Sequence, residues 1–397
     1  MPSEKLLNNY AQVLINFALG SGAGVKPKEV VYIQYDSPAL PLALAVYRQV
    51  LLAGGNPIVK SIDEEFAKVF YSQASNTQLD FFPEKYTRAL VDTIDHRVYL
   101  IAPKDPFYLK GIDAQKIMRA NAKNKLYRQW LDAKEDAGKL TWTLALYGTE
   151  KQAKEANLSL KSYWGQITKA CFLDEVDPLE KWREVFKEVQ VMQKRLNALP
   201  IEKLHVTAKN TDLWIGMGEK RKWMGGSGRN IPSFEIFTSP DWRGTQGHIA
   251  FDLPLYRYGN LIEGVYLEFK NGQVVKAKAT KNEKLLKELV KQKNADKIGE
   301  YSLTDVRFSR INKFMANTLF DENFGGKYGN THLALGKSYH DCYAGDAKKL
   351  TEADWAKLGY NDSPEHTDII AKSDRKVMAT LKNGKEILLY EKGSFAF

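Results

Sequence analysis

At 397 residues the chain is longer than one average domain, and with 44% apolar, 27% charged and 12% aromatic residues it can bury a sizeable core, which excludes wholesale disorder. Its net charge of +10 arises from 58 basic residues interleaved with 48 acidic ones, without long runs of one sign. That pattern reads as a solvated basic surface and argues against a nucleic-acid partner.

The N-terminal stretch MPSEKLLNNYAQVLINFALGSGAG is broken by acidic and amide residues, unlike a signal peptide. Leu6, Leu7, Tyr10, Val13, Leu14 and Phe17 recur at helical spacing and predict a helix over 3–19. GSGAG at 20–24 follows that helix and precedes a strand, the reverse of a dinucleotide-binding fingerprint, so it reads as a helix terminator. EVVYIQY from Glu29 predicts a strand, LPLALAVYRQVLLAGG a helix closed by glycines, and NPIVKSI the next strand. HRVYLIAP from His96, a charged helix over 113–136, LTWTLALYG from Leu140, and helices over 160–172 and 177–198 follow. Strand–helix alternation with nearly continuous apolar strands predicts an α/β domain over 1–200, its mostly parallel sheet covered on both faces. Leu199-Pro200 reads as a hinge.

From about 203 the texture changes. KLHVTAKNTDLWIGMG, SFEIFTSP, GHIAFDLPLY, LIEGVYLEFKNGQVVKAKA, THLALGKSY, HTDIIAKS and RKVMATLKNGKEILLYEKG are strand-like with turn signals between them. KNEKLLKELVKQK is the clearest helix. A β-rich α+β domain over 201–397 is therefore expected. MGGSGRN at 224–230 lacks the Lys-Ser/Thr of a phosphate loop and reads as a turn that lets the chain approach a site. Cys171 and Cys342, the only cysteines, lie in different halves. They exclude a disulfide scaffold and a cysteine zinc site and suit a reducing, cytoplasmic location. No window approaches the length of a membrane span, so no membrane partner is expected.

The chemistry concentrates in the second half. His366 and Asp368 of HTD stand two apart on a strand and so share one face. Beside Ile369 and Ile370, a buried Asp368 needs a partner or a metal. Glu235 lies inside an apolar run, Glu300 follows a glycine at a strand start, Glu322 follows the apolar NTLF, and His332 sits in an apolar strand. His96, His205, His248 and His340 lack such contexts. Four carboxylates and two imidazoles suit two divalent cations better than one, which makes hydrolysis by metal-activated water the first expectation.

NIPSFEIFTSP, KIGEYSL, NTLFDEN, THLALGKSY and NDSPEHTD, in that order, resemble the thermophilic aminopeptidase family of metallopeptidases. The likeness extends through YAQVLINFALGSGAGVKPKEVVYI and LSLKSYWGQITKACFLDEVDPLEKW to nearly the whole chain. It implies a homodimeric metalloprotease, an N-terminal α/β domain joined to a β-rich catalytic domain, and exopeptidase action on peptides with a free N-terminus. By resemblance, Glu235, Glu300, Glu322, His332, His366 and Asp368 fall on the family's two-metal ligand positions, and Tyr339 on its active-site tyrosine. The metals implied are Zn, Co, Mn or Mg, and Glu300 or Asp368 is expected to bridge them. Glu300 and Tyr339 are the expected catalytic side chains. Two features depart from the family pattern. Phe234 stands where a glycine usually precedes the first glutamate, which predicts a narrowed pocket. FGGKYGNT lengthens the loop between Glu322 and His332, which predicts an outward bulge. A mononuclear Fe(II) ring-cleaving dioxygenase of related fold would need only His332, His366 and Asp368. A non-catalytic homologue with a degraded site is a third reading.

Overall fold

The computed structural model describes residues 2–226 and 228–397; Ser227, within the MGGSGRN turn, lies outside the described residues. A parallel sheet has the strand order Asn56–Ile62, Val30–Asp36, His96–Ile101, Thr141–Leu146 and Asn230–Ile231. Its two faces are both covered, as the apolar runs predict. Val31 and Ile33 pack with Tyr10, Leu14, Leu42 and Val46 of the helices Glu4–Val13 and Leu40–Leu52 and the π-helical turn Leu14–Ala18. Tyr32, pointing the other way, packs with Val91 and Leu131 from the helices Glu84–Thr93 and Lys125–Asp136.

Local chemistry sets the element ends. Ser3 accepts a hydrogen bond from Leu6 N at the start of the first helix. Asp177 caps the 20-residue helix Pro178–Asn197, whose first position is the proline that needs no donor there. The glycine cluster terminates the first helical segment as expected, with Gly24 N donating to Leu19 O. Gly24 has φ +77°, and an added Cβ would meet the Asn16 backbone at 2.9 Å, so the turn requires glycine. The helix expected over 113–136 is two helices, Ala114–Lys123 and Lys125–Asp136, broken at Asn124, whose ψ of 3° is not helical.

Two large antiparallel sheets follow, with a two-stranded ribbon of Leu255–Arg257 and Asn260–Ile262 beside them. The larger runs in the order Gln273–Lys278, Tyr266–Lys270, Gln246–Ala250, Thr211–Gly216, Ile201–Ala208, Arg375–Leu381, Glu386–Glu391 and Ser394–Phe395. The smaller runs His366–Ala371, Asn330–Gly336, Ile298–Thr304, Glu235–Thr238 and Met224–Gly225. In the smaller sheet Ile236 opposes Leu303, Tyr301 opposes Leu333, and Leu333 opposes Ile369. That apolar face joins the same buried core as Leu204, Val206, Leu213 and Val377 of the larger sheet. The opposite face must then carry the alternate residues, and these are the polar ones.

Asn230–Ile231 belongs in sequence to the β-rich half, yet it pairs with Leu144 and Ala145 of the parallel sheet. The chain thus returns to its first sheet between two strands of its second half, and this places the first sheet's edge against the polar face. Among the described residues no helix is long and apolar enough to cross a membrane.

Candidate metal centre

Register brings the expected ligands together. Thr304 opposes Glu235, Ser302 opposes His332, Ala334 opposes Asp368, and Gly336 opposes His366. Directly opposed residues of an antiparallel pair share a face, as do residues two apart on one strand. Glu235, Glu300, His332, His366 and Asp368 therefore project from one face of four adjacent strands. A bulge between Ile298 and Glu300 lets Ile298 enter the core while Glu300 faces the site. Gly299 permits it, because a Cβ there would lie 2.2 Å from Lys337 O. The glycine noted before Glu300 in the sequence has this role.

His332 Nε2 lies 2.8 Å from Glu300 Oε1, 3.3 Å from Glu235 Oε2 and 4.0 Å from Asp368 Oδ1. His366 Nε2 lies 3.3 Å from Asp368 Oδ1 and 3.8 Å from Glu300 Oε2. Glu300 thus faces both imidazoles with different oxygens. The Nδ1 of His366 is 2.8 Å from Lys337 O. That contact fixes the ring with Nε2 on the side of the carboxylates, the usual support for a metal-binding histidine. Glu322 arrives from the end of the short helix Thr318–Asp321 and lines the same cleft. Asn230 Nδ2 donates to its Oε1 at 2.8 Å.

The cluster is short of positive charge. Burial and the neighbouring carboxylates Glu300 and Asp368 raise the Glu235 pKa to about 8, and burial together with Glu235 and Asp368 raises that of Glu322 well above the usual range. Burial opposes the His332 imidazolium, but the hydrogen bond it donates to Glu300 and the surrounding carboxylates outweigh it and raise its pKa to about 10. Burial likewise works against ionised Asp368, yet His366 holds its pKa near 2. Glu235, Glu300 and His332 bring ligand atoms within 4.8 Å of one another, all three buried. His332 Nδ1 is buried without a hydrogen-bond partner among the described residues. Three carboxylates and two imidazoles on one sheet face, with Glu322 from the helix end lining the same cleft, fit divalent cations, which would supply the missing charge.

Tyr339 stands beside the cluster, its ring 4.9 Å from that of His366 and 6.0 Å from that of Phe237. Burial and the charges of Glu300 and Asp368 push its phenol well above the ordinary tyrosine range. The other four histidines do not join the cluster. His96 is held by Thr141 and Glu29, His205 by Asp212, His248 lies against Tyr266, and His340 stacks on Trp355. Asp321, next to Glu322, is structural, since its carboxylate accepts from Met315 N and Asn317 N.

Both expectations drawn from the departures are corrected. Phe234 does not narrow the cleft. Strand alternation turns it away from Glu235, and it stacks on Trp182 at 5.6 Å and meets Phe172 edge-on at 5.9 Å. The lengthened loop does not bulge outward. Asn323 Oδ1 accepts from Phe234 N, and Asn330 Nδ2 donates to Glu322 O and Phe324 O, so only Gly326 and Lys327 at the tip are exposed.

Several site residues escape sequence reading. Ser302 Oγ donates to Glu235 Oε2 at 3.3 Å; its place two residues after Glu300 on a strand was the available signal. Asn230 and Arg229 had none beyond the glycine-rich turn before them. Arg229 pairs with Glu135 at 2.6 Å and with Asp341, at the rim of the cleft.

A buried, acid-rich centre with two imidazoles is the hallmark of a metal-dependent enzyme. The chain belongs to the family described as Thermophilic metalloprotease (M29), whose model matches residues 3–395. It is 28% identical to Aminopeptidase AmpS of Bacillus subtilis, the match covering 100% of this chain and 99% of that one. It is 27% identical to Aminopeptidase PepS of Streptococcus thermophilus, over 98% and 97% of the two chains. Its fold is that of wild-type AmpT from Thermus thermophilus, with a TM-score of 0.83 at 23% identity, covering 99% of this chain and 100% of that one.

Proposed function

We propose that this protein is a two-metal aminopeptidase that removes the N-terminal residue of peptides. Its family is one of metalloproteases and its full-length relatives are aminopeptidases, so the chain is a hydrolase of the exopeptidase kind. The observation that carries the two-metal part is the projection of five ligand side chains from one face of four strands, with Glu322 closing the same cleft. Glu235, Glu300, Glu322, His332, His366 and Asp368 would hold the cations, with Glu300 or Asp368 shared. Bound there, Zn, Co, Mn or Mg would supply a water that loses its proton near neutral pH and would polarise the scissile carbonyl.

Glu300 accepts the proton of the attacking water and returns it to the leaving amine. Tyr339 donates a hydrogen bond to the oxyanion of the tetrahedral intermediate. Asn230 and Ser302 orient Glu322 and Glu235. The substrate's free amine is anchored at the acidic cluster, and a blocked N-terminus loses that anchor. An Fe(II) facial triad would use His332, His366 and Asp368 but leave Glu235 and Glu300 buried beside them without a task. The reading also includes a homodimer, on family resemblance. It includes a cytoplasmic location, consistent with two buried, unpaired cysteines.

The test is metal-stripped protein re-loaded with Co(II) and offered unblocked peptides and their N-acetylated twins. Release of amino acid from the unblocked set alone is the expected result. Equal cleavage of both sets, or of neither, overturns the reading.

A further inference from the structure

The catalytic cleft has a second wall that carries no ligand. It comes from the parallel sheet, where Trp142 and Leu144 stand two apart on the strand Thr141–Leu146 and line the cleft with Ile101. All three keep partial exposure although their strands lie inside the sheet, because this part of the face opens on the cleft between the helices Lys125–Asp136 and Thr318–Asp321. Leu319 of the short helix before Glu322 and Phe237 of the ligand sheet complete an apolar lining. The chamber measures about 210 Å³. Its lining also includes all six proposed metal-binding side chains, so the apolar wall stands directly across the cleft from the acidic cluster.

A second cavity of about 320 Å³ lies alongside, lined by Asp132, Asp136, Lys222, Lys337 and Asp341. Arg229 and Tyr339 line both spaces. The divide between them is firmly built. Arg229 is clamped by Glu135 and Asp341 and lies over the Trp142 ring, whose Nε1 donates to Glu135 at 3.1 Å.

We infer that the inner chamber receives the N-terminal side chain of the substrate and selects apolar ones through Trp142, Leu144 and Leu319, while the peptide continues into the charged cavity past Arg229 and Tyr339. This rests on the aminopeptidase reading above. An acidic side chain would lose its hydration against the apolar wall and face four carboxylates. An added methylene in such a pocket typically changes the rate by about 10–200-fold. The parallel sheet, which holds no metal ligand of its own, thereby sets which residue is removed.

The experiment compares kcat/KM on a series of peptides differing only in the first residue, for the Co(II)-loaded protein and for Leu144→Ala, Leu319→Ala and the volume-conserving Leu319→Met. Calorimetric titration with free leucine, phenylalanine and glutamate gives a binding readout independent of turnover. The wild type should favour leucine over glutamate at the first position by at least about tenfold. Either alanine variant should move the phenylalanine-to-leucine ratio towards phenylalanine by about tenfold, in both rate and binding, and Leu319→Met should keep the wild-type ranking. Circular dichroism and metal content separate a misfolded variant from a re-shaped one, and the remaining variants still decide the matter. Wild-type cleavage with an unchanged ranking in folded alanine variants, or a uniform loss across the series, overturns the chamber assignment while the aminopeptidase reading stands. An inert wild type overturns both.

Discussion

The strands Asn56–Ile62 and Ile298–Thr304 have the same length and opposite fates. The first carries Ile58, Val59 and Ile62, yet it is mostly exposed at the edge of the parallel sheet, with Ile58 38% and Val59 44% exposed. The second carries Glu300, Ser302 and Thr304, and every one of its residues is buried. Each has three large apolar residues, so hydrophobicity alone would not separate them. Position decides burial: an edge strand has one neighbour, whereas Ile298–Thr304 is flanked by Asn330–Gly336 and Glu235–Thr238. A charged group held inside such a strand is costly, so its presence marks function. The exposed apolar edge marks only tolerance.

That contrast can be broken at graded cost. Glu300→Gln keeps the shape of the buried strand and removes its proton-accepting carboxylate. Turnover should fall by about 10²–10⁴-fold with unchanged circular dichroism, and near-wild-type kcat would remove Glu300 from the chemistry. Phe234→Ala tests the residue whose side chain turns away from the site. It should cost about 3–5 kcal/mol of stability in denaturant titration, through lost stacking on Trp182 and Phe172. Activity per folded molecule should change little, and a large change in KM with intact stability would restore the narrowed-pocket expectation.

Asn330→Ala unpins the loop that carries Glu322, leaving the carbonyls of Glu322 and Phe324 without this donor. A loss of about 1–3 kcal/mol is expected, accompanied by weaker metal retention on dialysis. Full retention would mean that the loop holds Glu322 without Asn330. At the edge strand, Val59→Thr should shift stability by no more than about 0.5 kcal/mol, and a larger loss would show that this exposed strand is covered in solution.

The sequence was most informative where a local rule holds without outside help. Helical spacing located the helices Glu4–Val13, Leu40–Leu52, Leu160–Ala170, Pro178–Asn197 and Glu283–Val290, but not Glu64–Gln73 or Glu84–Thr93, and NPIVKSI coincides with its strand. The miss over 113–136 was a break at Asn124 inside a continuous amphipathic pattern, where periodicity does not register one residue leaving helical geometry. His366 and Asp368 were readable as a pair because a strand's period of two puts them on one face without reference to any other strand.

The remaining ligands were legible only as oddities, acids in apolar runs, and their convergence came from family likeness. What the sequence determined by itself is the change from helix-rich to strand-rich texture near residue 200, the absence of a cysteine framework, and the pairing of His366 with Asp368 on one strand face. What only the tertiary structure decided is which oxygen faces which nitrogen, that Phe234 turns into the core, that the 323–330 loop folds inward, and that Asn230 returns to the parallel sheet. Those outcomes depend on strand register, on the Glu300 bulge and on pairing between segments far apart in the chain. Such contacts are fixed by the packing of whole sheets, and no window of residues contains them.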